Sequence, residues 1–196
     1  MSNRKKLEPL DIKCTSTDCE NNLHCFRTTQ QMLIRNEAGR CRECGADLIN
    51  WQRIQECNLK DAEHTIKALE YELIRHHFWH VLIDQRAVNY ARRKGWIKLR
   101  IAVENRIRKS VGQLTSFDGR QTPKERNPIF YAQHATATCC RKCIEEWYGI
   151  PPDEELDDDQ VKYMTEICML YLTQRLPLLT EYGEKVPPIR AKKTNQ

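Results

Sequence analysis

Asp157-Asp158-Asp159-Gln160-Val161-Lys162-Tyr163-Met164-Thr165-Glu166-Ile167-Cys168-Met169-Leu170-Tyr171-Leu172-Thr173-Gln174-Arg175-Leu176-Pro177 reads as one complete amphipathic helix. Its acidic start supplies a cap, because carboxylates accept from the unpaired amides of a first turn and oppose the positive end of the helix dipole. Val161, Met164, Cys168, Tyr171 and Leu172 fall at helical steps and predict a buried stripe. Pro177 lacks an N–H and ends the run.

Upstream, Thr138 can cap a short helix from Cys139 to about Tyr148, ended by Gly149 and Pro151-Pro152. Residues 112–133 contain Gly112, Gly119, Pro123 and Pro128 and predict a long loop. From Trp96 to Val111, the alternation of Ile97, Leu99, Ile101 and Val103 competes with the four-residue repeat of Leu99, Val103 and Ile107; the density of Arg and Lys favours helix. A helix from Asp84 to Lys94 should end at Gly95. Before it, Asn58 or Asp61 can cap a helix whose apolar face carries Ile66, Leu69 and Leu73 and continues to His77 and His80. The expected fold is therefore mainly α, with four or five helices around one core over residues 56–180. A small zinc-ribbon-like module over residues 1–55 precedes it, with short strands at Met32-Leu33-Ile34 and Leu48-Ile49-Asn50-Trp51. Residues 181–196, basic and with Pro187-Pro188, are expected to form a flexible tail.

The chain has 196 residues, 40% hydrophobic and 30% charged, as in a soluble globular protein. No apolar run approaches the ~20 residues that cross a bilayer, so no membrane partner is expected. No apolar stretch backs the basic start MSNRKKLEPLD, so the chain reads as cytoplasmic, where paired reduced cysteines serve as metal ligands more often than as disulfides.

Ten cysteines fall largely into two clusters. Cys14 and Cys19 are separated by four residues and Cys41 and Cys44 by two, with 21 residues between the pairs. That is the pattern by which short modules build tetrahedral Zn2+ sites. Cys41-Arg42-Glu43-Cys44-Gly45 is its stronger half, since Gly45 permits the positive φ of a metal knuckle. Cys25 or His24 can replace one ligand of the weaker half. The second cluster holds His134, Cys139, Cys140 and Cys143. Three readings compete there: His134, Cys140 and Cys143 binding zinc with His77 or His80 completing the set; a thiolate nucleophile, Cys139 or Cys140, with His134 as base; or ordinary buried thiols. Glu70 and Glu72 are possible general bases if the site is open.

Charge is uneven. Between Arg86 and Lys109 nine basic residues stand against Glu104 alone, whereas Ile144 to Val161 holds eight acids and no Lys or Arg. The basic block predicts nucleic-acid contact through Arg86, Arg92, Arg93, Lys94, Lys98 and Arg100, with Tyr90 and Trp96 interleaved for stacking. The competing expectation is that the two blocks face each other inside the fold. A metal- or thiolate-dependent hydrolase at the second cluster is the alternative function. Phosphate loops, serine triads and nucleotide-binding glycine patterns are absent from the sequence.

Asp118-Gly119-Arg120-Gln121-Thr122-Pro123, then Asn127-Pro128-Ile129-Phe130-Tyr131, then the run from Ala132 to Cys143 resemble a family of short uncharacterised bacterial proteins. That family's pattern reads approximately DGKQTP, HPVF, AQHATATCCRxC and WHGIP. The resemblance covers about residues 64–176 and implies a bacterial intracellular domain but no reaction. Asn127 and Tyr148 stand where the family tends to have His, while His134, Cys139, Cys140 and Cys143 match. Gln121 and Thr122 also match, and can either bind a ligand or brace the loop.

Overall fold

The structure, a computed structural model, describes residues 12–114, 121–187 and 189. Asp118-Gly119-Arg120, most of the lead-in and the end of the tail lie outside the described residues. The protein is mainly helical. Its helices are α1 (Gln30–Ile34), α2 (Trp51–Gln55), α3 (Ala62–Leu69), α4 (Leu73–His80), α5 (Gln85–Ser110), α6 (Pro128–Ala135), α7 (Arg141–Tyr148) and α8 (Asp158–Arg175).

Local chemistry explains most boundaries. Asp157 and Gln160 form a reciprocal capping box at the start of α8, and the predicted stripe is buried along it. Gly149 takes the left-handed conformation (φ 65°) that closes α7. Gly95 (φ 64°, ψ 173°) breaks α5 where the sequence indicates. The amides after the break do not go unpaired: Trp96 N donates to Thr180 O at 3.0 Å and Ile97 N to Glu181 O at 3.3 Å. A Cβ on Gly95 would meet Tyr182 backbone at 2.3 Å, so only glycine admits this crossing. Gly183 and Glu184, expected in a flexible tail, instead lie along α5, with Glu184 N donating to Arg92 O.

Three expectations are corrected. The single helix carrying His77 and His80 is two helices. Residues Glu70–Glu72 interrupt it, and His24 pairs with Glu72 in an isolated parallel bridge. The interruption changes the phase, so α4 buries Ile74, Arg75, Phe78 and Trp79 and turns its histidines outward. The region assigned to a long loop contains α6, for which Asn127 caps the first turn (Oδ1 to Ile129 N, 3.0 Å) and Pro128 fits the N1 position. The N-terminal segment has no strand among the described residues: α1 takes Met32-Leu33-Ile34, and Leu48-Ile49-Asn50 is an irregular lead into α2, which begins at Trp51.

α6 lies at the centre, packed on α4, α5 and α8, while α5 also packs on α8 and α2 on α7. Leu99, Val103 and Ile107 of α5 are fully buried in one continuous core. The N-terminal segment shares this core. Phe26, Trp51 and Trp147 pack together edge-on or tilted, with ring centroids 5.3–6.1 Å apart.

Candidate metal centres and basic cleft

Cys19, His24, Cys41 and Cys44 form the first candidate centre, with one ligand atom from each lying within 4.8 Å of the others. A tight hairpin builds one half: Asp18 and Leu23 exchange backbone bonds, and Asn22 turns the chain at φ 60°. The other half is the Cys41–Gly45 turn. Gly45 has φ 74° and its amide donates to Cys41 O at 2.8 Å. Two sulfurs each about 2.3 Å from one ion at tetrahedral corners stand about 3.8 Å apart, and a sulfur and an imidazole nitrogen about 3.6 Å apart. The Cys19 and Cys41 sulfurs are 3.8 Å apart, and Cys44 Sγ is 3.5 Å from His24 Nδ1. His24 Nε2 is 3.0 Å from Asn22 Oδ1, so it carries the proton and donates, leaving the Nδ1 lone pair toward the sulfurs. That is the arrangement by which a neighbour orients a ligating histidine. Burial, then Cys44 and Cys41, pushes the Cys19 thiol up to about 12. Burial also raises Cys41, but backbone donors at Cys44, Cys25 and Glu43 outweigh it and draw this thiol down to about 6. The set is therefore suited to hold one thiolate by itself and to lose further protons to solvent as a cation binds.

Cys14, read as a ligand of this centre, is not in the group. The Cys25 thiol donates to Cys14 O at 3.3 Å, which holds that strand of chain toward α4. Burial raises the Cys14 thiol, and Arg75 is the leading charge opposing it. Cys14 thus belongs to the neighbourhood of the second cluster. His24, an alternative in the sequence, takes its place.

The second group consists of Cys139, Cys140 and Cys143, all buried, again with sulfurs within 4.8 Å of one another. α7 starts two residues later than expected, with Cys140 itself in the N-cap position and no side-chain cap bond. Cys139 donates to Cys143 across 3.6 Å. Arg75 reaches over the group: Nη2 donates to Cys143 Sγ at 3.1 Å, and Nη1 to His134 O at 2.8 Å and toward Cys139 Sγ at 3.7 Å. Its Nε donates to Glu72 Oε2 at 2.8 Å, which also accepts from Trp147 Nε1 at 3.0 Å. Glu72 is therefore committed to an ion pair rather than placed as a base. Donation from Cys139 and Cys140, opposed by burial and aided by Arg75, holds Cys143 well below the usual thiol range.

The histidines assigned to this cluster lie elsewhere. His134 stacks on Phe78 with centroids 4.6 Å apart, and its Nε2 donates to Thr122 O and Pro123 O, both at 3.2 Å. Burial, then Arg75, lowers it to about 4, so it is a neutral wedge between α4 and the preceding loop. Neither a zinc ligand nor a base for Cys139 or Cys140 results. His77 and His80 line a cleft of about 490 Å3 with Asp18, Leu23 and Leu73. His80 stacks on His76 at 4.0 Å and donates from Nδ1 to His76 O. Gln121 and Thr122 brace the loop: Gln121 Oε1 accepts from Arg141 N at 3.3 Å, and Thr122 Oγ1 donates to Gln133 Oε1 at 3.2 Å.

The basic block divides among faces. Arg92 pairs with Glu184 at 2.6 Å, Arg100 with Glu166, and Arg108 with Glu104 and Asp158. Among the described residues, only this last ion pair joins the basic block to the acidic one. Arg86 and Arg93 are exposed on α5 away from the cleft described next. Lys94 and Lys98 do line a cleft of about 530 Å3, together with Tyr90, Arg106, Lys109 and Phe130, and no acidic side chain lines it among the described residues. Lys94 Nζ lies 5.1 Å from the Tyr90 ring centre and the Arg106 guanidinium 5.0 Å from that of Phe130. Arg106 also donates to Gln133 Oε1 at 3.3 Å and to Gln121 O, which fixes the cleft wall to the loop before α6. Arg106 and Lys109 belong to the basic block read from the sequence, although not to the contacts named there, and Phe130 was not read for this role. The four-residue spacing from Lys94 to Lys98, continued toward Arg106 and Lys109, was the available signal.

Residues 63–173 match a family described as a domain of unknown function (DUF4186). No solved structure matches the chain. The matched span contains Arg75, the second cysteine group and the basic cleft, while Cys19, His24, Cys41 and Cys44 precede it.

Proposed function

This chain belongs to the DUF4186 family, and we propose that it is a zinc-stabilised protein that binds single-stranded nucleic acid in the cleft along α5. Zinc, the usual occupant of closed sites of three cysteines and one histidine, would be held by Cys19, His24, Cys41 and Cys44 in a structural role. The observation that carries the binding function is the cleft wall. Four cations and two aromatic rings line one surface with no carboxylate among the described residues. Cations that follow a phosphate backbone, interleaved with rings that stack on bases, make up a sequence-tolerant single-strand site. Arg92, Arg100 and Arg108, with the acids of α8 and the following segment that pair with them, lie off this wall and leave it positive.

Fluorescence anisotropy with a labelled single-stranded oligonucleotide over a salt series tests it. Lys94→Gln, Lys98→Gln and Lys109→Gln together should reduce the slope of log affinity against log salt by about 2, at roughly 0.7 per phosphate contact. Arg92→Gln with Arg100→Gln should change it much less. An unchanged slope in the triple variant rejects the reading. The hydrolase alternative loses its acid–base pair with the orientation of His134.

A further inference from the structure

Three buried thiols on one short stretch are an expensive arrangement unless something binds them. Cys139, Cys140 and Cys143 are each less than a tenth exposed, yet their sulfurs converge instead of dispersing into the apolar core as Cys168 does. Cys168 shows the ordinary alternative, a lone buried thiol 3.4 Å from the hydroxyls of Thr136 and Thr138. A buried guanidinium then spans the group. Arg75 and Glu72 cancel each other's charge, so any negative charge that develops on the sulfurs needs a further cation to balance it.

We infer that Cys139, Cys140 and Cys143 form a second metal centre that takes one soft ion through three thiolate sulfurs, with Arg75 as the positioning residue that holds them. Sulfurs about 2.3 Å from a common ion lie roughly 3.8–4.0 Å apart, and the observed 3.6 Å between Cys139 and Cys143 requires only small side-chain rotations. The set is all sulfur. Hard cations such as Mg2+ and Ca2+ prefer oxygen, whereas thiophilic ions prefer this donor set. The imidazoles are turned away, and Cys14 lies outside the group. Three-coordination follows, which suits Cd2+-like divalent ions, Cu+ and trivalent arsenic. Each ligand that is still a thiol loses its proton as its sulfur–ion bond forms. Hydrated Cd2+ or Cu+ sheds a coordinated water, and the proton goes to solvent. With arsenite each As–S bond replaces an As–OH bond, and the proton leaves with that hydroxide as water, so no oxidant or reductant takes part. Arg75 donates to two of the three sulfurs and so stabilises the loaded form as an outer partner does at other metal sites. This centre rests on different residues from the zinc site and the nucleic-acid cleft, so it stands or falls independently of them.

The experiment counts ions on the full chain, purified reduced, by native mass spectrometry and by sulfur-to-metal charge-transfer absorption during titration with Cd2+, Cu+ or arsenite. Wild type should bind two Cd2+ and Cys44→Ser one, with the absorption of three thiolates. Cys44→Ser combined with Cys143→Ser should bind none. Arg75→Lys should weaken the ion remaining in Cys44→Ser by about 10- to 100-fold. The Cu+ and arsenite arms, run on Cys44→Ser, identify which soft ion is preferred. The inference is overturned if Cys44→Ser binds none of the three ions, if its ion survives Cys143→Ser, or if Cys14→Ser removes it, since Cys14 would then be a fourth ligand. If Cys143→Ser fails to fold, the ion count and thiolate absorption of Cys44→Ser alone decide.

Discussion

Cys44 is exposed and Cys19 half-buried, on a stretch made of a hairpin, turns and the short helix α1, with His24 and Cys41 buried beside them. Cys139, Cys140 and Cys143 are buried at the start of α7 beneath Arg75, Glu72 and Trp147, within the continuous core to which α2 to α8 contribute. The same residue type is therefore organised by opposite means. At the first centre an ion would add a clamp between the Asp18–Leu23 hairpin and the Cys41–Gly45 turn, beyond the backbone bonds that already join this segment to the core. At the second, helix packing fixes the sulfurs before any ion arrives.

The sharpest way to break this comparison is chelation. Structural zinc contributes about 10–16 kcal/mol to folding in zinc-finger peptides. Removing the ion should therefore release amide protection across residues 18–46 while α4 to α8 keep theirs, as read by hydrogen exchange with mass spectrometry. Equal loss in both regions would mean that the first centre organises the whole fold.

A smaller effect sharpens the other side. Arg75→Met leaves Glu72 as a buried carboxylate with, among the described residues, only the Trp147 side chain to donate to it, which should cost about 3–5 kcal/mol in urea denaturation. A cost near that of an exposed ion pair, about 1 kcal/mol or less, would show that the second region is not the rigid one.

The smallest expected effect is on pH dependence. His134 is lowered to about 4 in the folded chain against about 6.5 unfolded. The folded state thus binds this proton more weakly. Its contribution is fully present above pH ~6.5 and is lost as pH falls toward 4. Glu146 acts in the opposite sense: burial, then Glu72, raises it to about 7, and its contribution is present at acid pH and lost as pH rises through 7. His134→Gln should flatten the acid side of the stability profile and leave the decline toward neutral pH. An unaltered acid side, measured as urea midpoints from pH 4.5 to 7.5, would remove His134 from the buried wedge.

How far the sequence carries can be judged residue by residue. α8 was legible because its cap, stripe and terminator all lie within 21 consecutive residues. The break at Gly95 was legible for the same reason, although not its cause, the crossing of residues 180–184. α6 was signalled by Asn127-Pro128, a cap followed by a residue suited to the first turn, but the surrounding glycines and prolines favoured a loop. The helix break at Glu70–Glu72 had no local signal. Glu72 is held by the bridge to His24 and by Trp147, 75 residues away, and this turns His77 and His80 from a buried face to an open one.

The amino-acid order alone determined that the protein is helical, that its thiols gather in two groups and that one helix is densely basic, because propensity, spacing and charge are properties of short stretches. Tertiary structure decided which atoms meet. It exchanged Cys14 for His24, set Arg75 over three sulfurs and turned Lys94 and Lys98 toward a cleft while acids engaged Arg92 and Arg100. Those outcomes depend on how helices far apart in the chain are rotated against one another, and that rotation is fixed by the packing of the whole core.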